Sequence, residues 1–104
     1  MTTFDERERA FEAKFAHDAE MKFRAEARRN RMLGFWAAGL LGKEGDEAAA
    51  YTREVIKAEF QEAGEDDVFR KLRRDTGHLL SDEEIREKMA EFTALAKAEL
   101  VEEN

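Results

Sequence analysis

Apolar positions recur along the chain at steps of three and four, the period of an α-helix and not the alternation of a strand. The C-terminal stretch is marked most sharply, with Ile85, Met89, Phe92, Ala96 and Leu100 in one stripe. Ser81 stands where an N-cap belongs and Glu84 follows three residues on, a capping box, with Leu80 and Ile85 in the flanking staple positions. Upstream, Asp66 and Asp67 in a first turn, and Arg70, Lys71, Arg73 and Arg74 in the last turns, match a helix macrodipole that Gly77 terminates. A further helix is predicted from Asp46 as N-cap, through Tyr51, Val55, Ile56, Phe60 and Ala63, to a stop at Gly64. Gly42 and Gly45 flank Lys43 and Glu44 as the turn before it. The most apolar stretch comes earlier: Phe23, Ala27, Met32, Leu33, Phe35, Trp36, Ala37, Leu40 and Leu41 are expected to form the centre of the core.

Composition strengthens the helical reading. Pro is absent and all 6 Gly lie between Gly34 and Gly77, so both ends of the chain are free of the strongest helix breakers. At 104 residues the chain is expected to form one all-α domain. The net charge of −7 is uneven: residues 1–31 hold 8 basic and 7 acidic side chains, and the rest hold 10 and 18. There is no Cys, which excludes disulfides and thiolate chemistry. No apolar run approaches the roughly 20 residues of a membrane span, and the first residues lack the basic-then-apolar order of a secretory leader. A cytoplasmic protein without membrane insertion is expected.

Catalytic constellations are scarce. The only His residues, His17 and His78, belong to no metal-ligand pattern, and neither a metal nor a cofactor is expected. His17 lies beside Asp18, which motivates a pH switch near neutrality. Gly34 and Gly39 have phosphate-loop spacing, but Leu40 and Leu41 follow where Lys and Ser or Thr are needed. Small residues that let helices approach closely, or that weaken a helix end, explain them better. The Arg70 to Arg74 run raises the question of nucleic acid, yet phosphate binding favours a basic domain and this body is acidic. An enzyme is not expected. A helical binding module, nucleic-acid-associated through the Arg70 to Arg74 helix, is the alternative.

The first 19 residues differ from the remainder. Thr3 with Glu6 forms a second capping box, so helix is encoded, but the large apolar residues reduce to Phe4, Phe11 and Phe15 among dense charge. Isolated helices of this length are marginal in water without a wide apolar face to pack. Two outcomes satisfy the pattern: the rings join the core of the bundle, or the segment orders as a ligand helix in a partner's groove. The second places a boundary at residue 19, with residues 1–19 disordered when free and residues 20–104 forming the anchor.

Three ordered blocks carry a family resemblance: MTTFDERERAFEAKFAHD at the start, RRNRMLGFWAAGLLGK from Arg28 to Lys43, and EAGEDDVFRKLRRD from Glu62 to Asp75. They closely resemble the zeta subunit family of alphaproteobacterial F-type ATP synthases. The resemblance implies a four-helix bundle with a mobile N-terminal segment that becomes helical on binding. It also implies that this segment enters the interface of the catalytic alpha and beta subunits beside the gamma rotor and blocks ATP hydrolysis. Carried over by position, the inhibitory residues would be Thr2, Thr3, Phe4, Asp5, Arg7, Glu8, Phe11, Glu12, Lys14 and Phe15. The protein implied is monomeric when free and peripheral to the inner membrane through the ATP synthase.

Overall fold

The computed structural model describes residues 19–59 and 66–103. Among them lie four α-helices, one 3-10 turn and no strand: α1 (Ala19–Leu40), α2 (Gly45–Ala58), α3 (Asp66–Thr76), the turn Gly77–Leu79, and α4 (Asp82–Glu103). The expected four-helix bundle is the observed fold. His17 and the ten residues assigned to inhibition lie outside the described residues, as do Phe60, Ala63 and Gly64.

Local signals set the helix ends. In the capping box, the Ser81 backbone N–H donates to Glu84 Oε1 at 3.0 Å and the Glu84 N–H donates to Ser81 Oγ at 3.1 Å, which satisfies two otherwise orphaned donors. At the end of α1 the Lys43 N–H reaches the Ala38 carbonyl at 2.9 Å and the Gly42 N–H reaches that of Gly39 at 3.2 Å. This pairing needs a left-handed residue at position 42, and Gly42 supplies it with φ of 75°. The start of α2 corrects one expectation: the N-cap is Glu44, in extended conformation, not Asp46. Its carbonyl accepts from the Glu47 N–H at 3.1 Å, while Asp46 lies inside the first turn, where its charge favours the positive helix end.

Helix α1 packs most extensively on α2 and next on α4. Leu33, Ala37, Tyr51, Val55, Val68, Leu72 and Ile85 are buried in one core cluster, with Trp36, Leu41, Phe69, Leu80, Met89 and Phe92 packed around it. Full burial of such aliphatic side chains stabilises by about 1.5–3 kcal/mol each. Gly34 fixes how closely α1 and α2 approach: a Cβ there would stand 2.7 Å from Thr52 Cα, inside contact distance of backbone. Gly39 has open space around its own Cβ position, so close approach explains Gly34 alone. A smaller cluster, Met21 and Ala25 with Leu100 and Val101, joins the start of α1 to the end of α4.

The sequence expectation for the core needs a second correction. Phe23 and Phe35 are 55% and 52% exposed and Leu40 is 43% exposed, so three residues assigned to the core stand on the surface. Leu33 and Ala37, a different azimuth of the same helix, hold the centre.

Candidate interaction surface

Four groups of polar contacts hold the elements that present the surface. Just before the middle of α1, Arg28 forks onto α4, with Nη1 2.7 Å from Glu103 Oε1 and 3.3 Å from Glu99 Oε1, and Nη2 3.1 Å from Glu103 Oε2. The hydrogen bond from Arg28 holds the Glu103 carboxyl below its ordinary range. Midway along α1, fully buried Asn30 donates to Glu59 Oε2 at 2.5 Å and Arg29 pairs with Glu59 Oε1 at 3.2 Å. Burial pushes the Glu59 carboxyl above its usual value, against the opposing pull of Arg29.

Farther along the bundle, the Tyr51 hydroxyl donates to Asp75 Oδ2 at 2.9 Å, and Lys71 pairs with the same oxygen at 2.9 Å. Burial alone would raise the Asp75 carboxyl, but the bonds from Lys71 and Tyr51 hold it below the ordinary range. The Tyr51 phenol is pushed up by its own burial. From the last turn of α3, Arg73 donates to the carbonyls of Gly77 and Leu80 and pairs with Asp82 at 2.7 Å. Those bonds satisfy carbonyls at a helix end and tie α3 to α4. Arg74 pairs with Asp75 at 3.5 Å, and Arg70 pairs with Asp67. The Arg70 to Arg74 run therefore serves helix ends and neighbouring carboxylates, as the macrodipole reading expects.

Two surface features stand out. Between α2 and α3 a cleft of ≈ 430 Å³ is lined by Lys57, Arg70, Lys71 and Arg74 together with Glu54 and Asp67, a mixed-charge wall. On α1, Phe23 and Phe35 point outward beside Arg24 and Arg31. Sequence reasoning placed both rings inside. The signal that separates them is azimuth: Phe23 falls two residues from both Met21 and Ala25, about 200° around the helix from each. Buried Asn30 was equally hidden, because its partner lies 29 positions away.

Among the described residues no group of three or more His, Cys, Asp or Glu is placed to hold a metal ion, and His78 is exposed on the 3-10 turn. No described helix is long and apolar enough to cross a membrane.

Fold and surface together define a small all-α bundle with exposed aromatic and basic side chains along one helix. The profile of the family described as ATPase inhibitor subunit zeta matches residues 1–99, and the chain belongs to that family. A protein structure determined by solution NMR is 50% identical, covers 81% of this chain and 99% of its own, and superposes with a TM-score of 0.72. No curated protein matches. The role of this family, that of an ATPase inhibitor subunit, is a regulatory one, and it implies ATP synthase as the partner.

Proposed function

We propose that the chain arrests ATP hydrolysis by placing residues 1–19 as a helix at the interface of the alpha and beta subunits, against the gamma rotor. The observation that carries this reading is the family match from residue 1 to residue 99, which spans the Phe-bearing segment as well as the bundle. The described helices support it by closing two apolar clusters among themselves, which gives the segment an anchor.

In the wedge, Phe4, Phe11 and Phe15 are buried in the cleft. Thr2, Thr3, Asp5, Arg7, Glu8, Glu12 and Lys14 meet polar and charged groups along its walls. As a helix, Phe4 to Asp18 would extend about 21 Å. Ordering about 15 residues costs roughly 1–2 kcal/mol each in backbone entropy, so the aromatic anchors must be well buried to leave net affinity. Rotation in the hydrolysis direction closes the cleft on the helix, and rotation in the synthesis direction expels it. The free protein is a monomer that works in the cytoplasm, peripheral to the inner membrane through the ATP synthase.

Phe11→Ala and Phe15→Ala are each expected to raise the concentration needed for inhibition more than about tenfold, the loss typical of a central interface anchor. Far-ultraviolet circular dichroism and the thermal midpoint should stay those of the unaltered protein. Full inhibition by either variant at the original concentration would remove the wedge assignment.

A further inference from the structure

On α1, the residues Phe23, Ala27, Arg31 and Phe35 follow one another at steps of four. Phe23, Arg31 and Phe35 are exposed and Ala27 is half-buried. In the sequence the same step runs upstream without a break through Ala19, Phe15 and Phe11. Side chains four apart on a helix form the ridge that fits a groove in a facing element. Single exposed apolar residues are ordinary on a protein surface, but two exposed Phe in one row with an inhibitory aromatic stripe are a contact pattern.

The charges beside the row have a definite sign. A shallow groove of ≈ 170 Å³ is lined by Phe23, Arg24, Ala27, Arg28, Arg31 and Leu100. Arg28 is committed to Glu99 and Glu103. Arg24 acts on Glu103 only through its field, and Arg31 forms no ion pair with a described residue. A cationic aromatic strip thus stands on a chain whose net charge is −7. Met21, Ala25 and the Arg28 fork hold this part of α1 on α4, so the strip is ordered before it meets a partner and loses little entropy in binding.

We infer that the row from Phe23 to Arg31 is the outer half of the inhibitory contact and docks on an acidic, apolar-edged groove of the ATP synthase, at the mouth of the cleft that takes residues 2–15. The inference rests on the wedge reading and extends it. The family match and the four-residue step that continues from Phe11 and Phe15 select this occupant, and the chemistry of the row sets what it must offer: acidic groups for Arg24 and Arg31, and an apolar edge for Phe23.

The test titrates the full-length chain against ATP hydrolysis by the catalytic sector of its ATP synthase. A Phe23→Ala, Arg31→Glu double variant should need about tenfold more protein for half-inhibition, with the same plateau, helical content and thermal midpoint. Leu95→Ala, an exposed position on α4, should titrate like the unaltered chain. Raising the salt concentration should narrow the gap between the double variant and the unaltered chain. A double variant that titrates like the unaltered chain while Phe11→Ala loses inhibition would overturn the extension and leave the wedge standing. Loss in the double variant with none in Phe11→Ala would overturn the wedge and, with it, the placement of the row at the mouth of its cleft. No loss in either would overturn both.

Discussion

The two halves of α1 do different work within one helix. The C-terminal half is enclosed on its inner face, where Leu33, Gly34, Ala37 and Ala38 are buried and small side chains let α2 approach until Thr52 meets Gly34, while Phe35 and Leu40 face outward. The N-terminal half is held from one side, through Met21 and Ala25 on Leu100 and through Arg28 on Glu99 and Glu103. Its outer face carries Phe23 and Arg24, and Arg31 follows on the same face just past the midpoint. Packing of one half stabilises the bundle, and in the docking inferred above the outer face of the other presents side chains to a partner. Substitutions in the first should therefore act on stability, and those on the outer face of the second on inhibition.

The largest expected stability effect is in the enclosed half. Leu33 is fully buried in the main core, and Leu33→Ala should destabilise the bundle by about 2–5 kcal/mol, read by chemical denaturation. A cost below about 1 kcal/mol would show that the C-terminal half is less closely packed than its burial indicates.

In the open half, Arg28→Ala should cost less than about 1 kcal/mol, since the acidic partners are solvent-exposed. A larger loss would mean that the fork on α4, and not the Met21 and Leu100 contact, fixes the end of α1.

The smallest effect lies where the halves meet. The Glu59 carboxyl, half-buried beside Asn30, is pushed by that burial above its ordinary value in the folded chain. Stability from this group is fully present below the unfolded pKa and declines as pH rises through the folded one. Glu59→Gln should flatten that decline in a series of thermal midpoints from acid to neutral pH. An unchanged slope would assign the decline to another group.

Helix ends and the interior surfaces were readable to different degrees. The Ser81 and Glu84 capping box, the acidic start of α3 and its end before Gly77 are local chemistry, set by residues within one turn, and each stands where the spacing placed it. Phe23, Phe35 and Leu40 were misassigned because apolar density along a helix does not say which azimuth a neighbour covers. Nor did the sequence near Asn30 point to Glu59, a long-range partner on another element. For the candidate site, the Phe4, Phe11 and Phe15 pattern left two outcomes open, and the choice between them came from the family blocks. The family match over residues 1–99 bears out that resemblance. The ten assigned positions follow from the family pattern, because helical spacing alone gives no partner.

The most direct test of the wedge is ATP hydrolysis by the cognate ATP synthase, measured with the intact chain and with a chain lacking Met1 to Ala19. The intact chain should inhibit. The truncated chain should keep the helical content of the bundle and lose inhibition. Inhibition by the truncated chain at the same concentration as the intact one would contradict the assignment of inhibition to the N-terminal segment.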